Sequence, residues 1–186
     1  AGLIELNLEC DNPDVKRYIG VLNNEVNRLD KLSRELLDFG GRRSLNREWV
    51  NINVLLERIL HLGSLNRTSR GVNIQKVFTP DLPEVFGDQE NLLHALMNLV
   101  LNAFDALDGK GSIYVETARQ DDEVVIVVRD TGPGIPGESL QKIFDPFYTT
   151  KENGTGLGLS VAHTLICDHQ GRIEVVSQPN QGTSFK

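Results

Sequence analysis

Cysteine is scarce in this sequence: two among 186 residues, Cys10 and Cys167. Two so far apart form neither a disulfide framework nor a metal-ligand spacing, and a reducing cytosol fits them. Each reads as a small buried apolar residue. Positive charge is also in deficit, with 19 Lys and Arg against 26 Asp and Glu for a net −7. That balance argues against a general nucleic-acid surface. No apolar run reaches the length of a membrane span, the first residues lack a signal-peptide pattern, and no internal repeat is present. The length suits one compact domain plus an appendage.

What is present is concentrated between Asp130 and Ser160. The stretch reads DTGPGIPGESLQKIFDPFYTTKENGTGLGLS, and an apolar strand, Val124 to Val128, leads into it. A carboxylate at a strand end can accept a hydrogen bond from the exocyclic amine of adenine. Guanine would set an oxygen against it, acceptor facing acceptor. Gly132 and Gly134 allow a flat base to approach the backbone. Gly154, Gly156 and Gly158 open an apolar helix, where free N–H groups and the helix dipole favour phosphate. Taken singly, each glycine cluster could equally be a turn.

The rest of the chain reads in order. Residues 1–9 look like the tail of a helix that starts upstream. Asn12 is a candidate cap with Pro13 at the first helical position. Val15, Ile19, Leu22, Val26, Leu29, Ser33 and Leu36 follow at alternating spacings of four and three, a heptad seam that needs partner helices. Gly40 and Gly41 end it as a linker. A short strand is expected at 49–52. A helix capped by Asn53 follows, carrying Val54, Leu55, Ile59, Leu60 and Leu62. Then come a strand at 72–78, a turn at 80–83, and a long helix capped by Asp88 and running to Leu107. A hairpin of strands 112–119 and 124–130 precedes a short helix at 139–143. A helix at 155–168 and strands at 172–177 and after Gly182 complete the chain. Helices mixed with mostly hairpin-linked strands mean an α+β fold, a two-layer α/β sandwich with a mixed, mostly antiparallel sheet.

Four motifs carry a family resemblance in order: NLVLNAFDAL (98–107), DTGPGI (130–135), FDPFYTTK (144–151) and GTGLGLS (154–160), closed by GTSF (182–185). Over roughly residues 15–186 the chain resembles bacterial two-component sensor histidine kinases. Their catalytic domain belongs to the superfamily shared with type II topoisomerases, heat-shock chaperones and mismatch-repair ATPases. The FDPFYTTK and NAFDA forms resemble the nitrogen-regulation-like subgroup. The resemblance implies a Bergerat-type ATP-binding domain over 42–186. It makes 1–41 the C-terminal part of a dimerisation and phosphoacceptor helical hairpin. It also implies ATP and Mg²⁺ as cofactors, a homodimer through the hairpin, a response-regulator receiver domain as partner, and no nucleic acid. The fragment itself would touch no membrane, although upstream segments could anchor the full protein.

The same resemblance assigns the site. Asn98 and Asn102 stand four apart on one helix face, and their amide oxygens are hard, neutral ligands suited to Mg²⁺. Asn102 is implied as the principal metal ligand and Asn98 as its helper. Asp105 is either near the nucleotide or an exposed helix-end residue. Asp130, Gly132, Gly134 and Ile135 are implied at the adenine, with Thr183 supporting Asp130. Lys151, Gly154, Thr155, Gly156, Leu157, Gly158 and Leu159 are implied at the phosphates, with Lys151 either a point charge for them or a solvated loop lysine. Phe144, Phe147 and Tyr148 would anchor the mobile loop. Hydrolysing members of the superfamily have glutamate where Asn98 stands, and a carboxamide has no useful basicity. That favours phosphoryl transfer to a protein nucleophile. None of His61, His94, His163 and His169 sits on a candidate acceptor helix, so the acceptor is expected before Ala1. The rival readings are an ATPase-type conformational switch and a non-catalytic nucleotide-binding module.

Overall fold

The computed structural model describes residues 14–23, 25, 26, 29, 45–64, 71–151 and 154–186. The expected helix tail at 1–9, the Asn12–Pro13 cap, the seam positions Ser33 and Leu36, and the linker at 40–41 lie outside them. The chain divides into two compact units, Ala1–Arg42 and Arg43–Lys186. In the first, the described residues from Asp14 to Asn23 are helical, and so are Glu25, Val26 and Leu29. Leu22, Val26 and Leu29 of the apolar stripe are exposed there.

The second unit begins with β1 (Arg47–Val50) and α1 (Ile52–Ser64). Asn51, not Asn53, starts this helix: its side-chain oxygen accepts the Val54 N–H at 3.1 Å. Asn53 turns inward instead. Its amide donates to the Thr79 carbonyl at 2.9 Å, and its oxygen accepts the Thr117 hydroxyl at 2.8 Å. The buried face of α1 is Ile52, Leu55, Leu56, Ile59 and Leu60, the three-and-four spacing of an amphipathic helix. Val54 and Leu62 are exposed because they fall off that stripe.

Next come β2 (Val72–Val77), β3 (Val85–Asp88) and α2 (Gln89–Leu107). β3 was not expected. Four residues beside a proline turn show no period of their own, and they become a strand by pairing antiparallel with β1, Trp49 opposite Phe86. Asp88 caps α2 as its position suggests, accepting the Asn91 N–H at 3.0 Å. The hairpin is β4 (Gly111–Gln120) with β5 (Glu123–Asp130). α3 (Gly137–Leu140) is followed by turns, so the short helix lies earlier than 139–143. α4 (Gly158–Asp168), β6 (Val175–Gln178) and β7 (Gly182–Phe185) complete the unit. The main sheet runs β2-β4-β5-β7-β6, parallel at β2–β4 and antiparallel elsewhere. The helices cover one face, giving the expected two-layer arrangement.

Phe104, Leu56, Ile59, Val100, Ile113 and Val128 meet in the core between helices and sheet. α2 and α4 run antiparallel. At one end the His169 ring donates from Nδ1 to the Leu165 carbonyl at 2.7 Å. It accepts the Asp88 N–H at Nε2, 2.9 Å away, and that pair of partners fixes its tautomer. Cys167 is exposed, not buried, because it lies on the outer face of α4. Among the described residues no helix is long and apolar enough to cross a membrane.

One buried polar network pins α1 to the sheet. Thr117 donates to Asn53, and its Oγ1 accepts the Thr79 N–H at 3.0 Å. Thr117→Val keeps the shape and leaves both partners unsatisfied, so unfolding in urea should show a loss of about 1–3 kcal/mol with an unchanged m value.

Candidate nucleotide site

Helix α2 sets the site's long axis. Its apolar positions bury Leu92, Leu96, Leu99, Val100, Ala103 and Phe104, which leaves Asn98, Asn102 and Asp105 along the neighbouring face. Asn98 looks at the start of α4: a Cβ built on Gly158 would stand 3.7 Å from its Oδ1. Its Nδ2 is buried without a hydrogen-bond partner. Such an orphaned group is costly unless something fills the space beside it. No side chain caps the N-terminus of α4, so its first turn keeps donors for an anion.

One turn further along α2, the Lys151 ammonium donates to Asn102 Oδ1 and to Asp105 Oδ2, each at 3.0 Å. Both charged side chains are about half exposed, 42 % and 51 %, so the pair orients the lysine and adds about 0–1 kcal/mol to stability. These two oxygens already hold a cation. Among the described residues no group of three or more His, Cys, Asp or Glu could hold a metal ion. A divalent ion here would therefore need Asn102, with Asn98 or Asp105 beside it, together with oxygens brought by a ligand. Hard amide and carboxylate oxygens fit that requirement.

At the far end stands Asp130, 3 % exposed at the last position of β5. Its Oδ1 accepts the Gly132 N–H at 2.8 Å, the short turn that an aspartate makes with its own chain two residues on. Burial pushes this carboxyl above its ordinary value. The Gly132 and Thr183 main-chain N–H groups and the Lys151 charge pull it back down. Gly132 also packs on the carbonyl of Ala106, 3.0 Å from where a Cβ would be, so the acid sits beside the C-terminal turn of α2. From Asn98 to Ala106 is eight residues, about 12 Å along the axis.

The glycines do different things. Gly134 has φ +72° and lies where a side chain would run into the carbonyl of Gln178. Gly156, also at +72°, rests against the main chain of Phe147, whose N–H donates to the Gly156 carbonyl at 3.0 Å. That positive φ explains why α4 starts at Gly158 and not at Thr155. Leu157, expected at the phosphates, is fully buried in the core, so its side chain cannot reach a ligand. Leu159 is partly buried on the first turn of α4, and Thr155 accepts the Leu157 N–H at 3.4 Å. Phe147 is 62 % exposed and holds φ +68°. Tyr148 is anchored instead, its hydroxyl donating to Ser139 at 2.8 Å. Phe144 stacks at 5.1 Å on His163 of α4.

Ser177, which the sequence did not single out, touches two of the expected residues. It accepts the Ile135 N–H at 2.8 Å and lies 3.0 Å from the Thr183 hydroxyl. A lone serine in a strand of alternating exposure carries no signal of such a contact.

Residues 87–186 match the family described as Histidine kinase-, DNA gyrase B-, and HSP90-like ATPase. Sensor histidine kinase ZraS of Escherichia coli strain K12 is 37 % identical over 89 % of this chain and 36 % of its own length. Sporulation kinase A of Bacillus subtilis strain 168 is 33 % identical over 92 % of this chain and 28 % of its own length. The chain thus spans about a third of the curated relatives it matches. Full-length ShkA in complex with AMPPNP superposes with TM-score 0.81 at 26 % identity, covering 94 % of this chain and 38 % of that one. Histidine kinase ThkA in complex with response regulator protein TrrA gives TM-score 0.76 at 28 % identity, covering 98 % and 53 %.

The buried carboxyl generates a pH signature. A folded-state value raised above the unfolded one means stability present at low pH and lost as pH rises through the folded value. Wild-type protein should therefore gain stability relative to Asp130→Asn as pH falls from 7 toward the ordinary aspartate range. Paired urea titrations check this; a gap that widens against wild type on acidification would contradict it.

Proposed function

Since the chain belongs to the histidine kinase-, DNA gyrase B- and HSP90-like ATPase family, we propose that it is the ATP-binding catalytic region of a sensor histidine kinase. In the full protein it transfers the γ-phosphoryl of ATP to a histidine on a dimerisation helix. A response-regulator aspartate then receives it. The FDPFYTTK and NAFDA forms support the nitrogen-regulation-like subgroup. The observation that carries the reading is the position of Lys151. Its ammonium lies on Asn102 and Asp105, and Asp130 stands beside the C-terminal turn of the same helix, where Gly132 packs on Ala106. The basic group, the purine-reading acid and the amides thus gather along α2.

In this reading Asp130 accepts from the purine amine, and Gly132 and Gly134 let the base lie against the backbone. The first turn of α4 and Lys151 face the phosphates, and Asn102 and Asn98 hold the divalent ion or its water. Magnesium, when bound, supplies neutralising charge on the phosphate chain. No carboxylate stands at position 98 to activate water, and the amide there can only orient. Positioning without a base holds ATP for a nucleophile supplied by another helix. The exposed stripe of Leu22, Val26 and Leu29 supports dimerisation through the N-terminal unit.

Asp130→Asn should weaken ATP binding by about 1.5–3 kcal/mol, the worth of a charge-assisted hydrogen bond, by titration calorimetry. Asn102→Ala should remove the Mg²⁺-dependent part of the affinity and leave binding in EDTA nearly unchanged. Radiolabelled ATP with this chain and a separate hairpin bearing an acceptor histidine should give acid-labile, base-stable label. Steady ATP hydrolysis by the chain alone would instead indicate the ATPase switch.

A further inference from the structure

Strands β6 and β7 form a hairpin in which Ser177 and Thr183 are directly opposite residues, so their side chains share one face. Their hydroxyls are 3.0 Å apart. Ser177 Oγ also accepts the Ile135 N–H at 2.8 Å and can donate to the Gly182 carbonyl at 2.9 Å. The hairpin braces the 131–135 loop twice more. The Asn180 N–H donates to the Pro133 carbonyl at 2.7 Å, and Gly134 lies against the Gln178 carbonyl. One wall of the purine end is thus built by a hairpin whose second strand is the GTSF segment and whose first strand carries none of the motifs.

A serine hydroxyl has one proton and two lone pairs. Ile135 takes one lone pair. If the proton goes to the Gly182 carbonyl, Thr183 must donate to Ser177, which leaves the Thr183 hydroxyl only as an acceptor. If the proton goes to Thr183, Thr183 keeps its own proton to donate. Either way the Thr183 hydroxyl is bonded to Ser177, and the direction of that bond sets whether Thr183 has a proton left to donate. Thr183 is itself buried, and its main chain helps to lower the Asp130 carboxyl from the raised value that burial gives it.

We propose that Ser177 is a positioning residue for purine recognition: it fixes the hydrogen-bonding sense of Thr183 and the place of Ile135 without touching the nucleotide. This rests on the ATP-binding reading above. A pocket tells adenine from guanine by a fixed set of donors and acceptors, and a freely turning hydroxyl blurs that set. Ser177 is accordingly a determinant of ATP-over-GTP preference.

The test compares ATP and GTP binding by calorimetry for wild type, Ser177→Ala, Ser177→Cys, Ser177→Thr, Thr183→Val and the Ser177→Ala/Thr183→Val double variant, with melting temperatures measured alongside. Ser177→Ala should lower ATP affinity about tenfold and leave GTP nearly unmoved, because one hydrogen bond is lost from the adenine arrangement. Ser177→Thr, which keeps the hydroxyl, should restore the preference. The double variant should bind ATP no worse than the weaker single variant, because both remove one linked unit. Should Ser177→Ala fail to fold, Ser177→Cys decides, since a thiol fills the site but bonds weakly. Equal binding by wild type and Ser177→Ala would overturn the role of Ser177 and leave ATP binding intact. So would equal losses in the Ala and Thr variants, or losses that multiply in the double variant. A folded wild-type chain that binds no ATP overturns both.

Discussion

A carboxylate kept out of water at the end of a strand is the constraint on which the site depends. Asp130 is costly to bury as an anion, and the turn after β5 offsets part of that cost with the Gly132 N–H, which donates to its Oδ1 at 2.8 Å. β7 pairs with β5, and Thr183 of β7 also helps to lower the carboxyl. Its remaining acceptor capacity is what a ligand's N–H can use. A buried carboxyl raised above its ordinary value is a common arrangement at functional sites.

Helix α2 converts that fixed point into a line. Its C-terminal turn touches Gly132, and Asn102 and Asn98 follow back along the same side at one-turn intervals. The antiparallel α4 brings its uncapped N-terminus against Asn98. His169 holds the other end of α4 to the Asp88 N–H. A hydrogen bond at the remote end of the helix pair thereby keeps the site's helix terminus in place. The loop residue Lys151 closes the line, and its two oxygen partners are those a divalent cation would also use. A divalent cation at Asn102 would meet the oxygen that Lys151 holds.

Much of this was legible from local pattern. The acid-then-glycine turn, the Asp88 cap, the spacing of Asn98 and Asn102 and the β4–β5 hairpin each depend on residues within a few positions of one another, so sequence carries them. The errors were local as well. Asn51 and Asn53 are both plausible caps by residue type. Which of them turned inward depended on Thr79 and Thr117, residues 26 and 64 positions away from Asn53. Leu157 belongs by position to the glycine motif, yet packing placed it in the core.

The sequence by itself determined the chemistry available: an acid delivered by a strand, two amides one turn apart on a helix, and no base where Asn98 stands. Local spacing is enough for that, because helix and strand periods are set by backbone geometry. Only the tertiary structure decided how those groups meet. The pairing that makes β3 a strand, the partners of Lys151 and the meeting of Ser177 with Ile135 and Thr183 all join distant parts of the chain. Long-range pairs of this kind are chosen by packing and sheet order, and no short window of residues contains both halves of them.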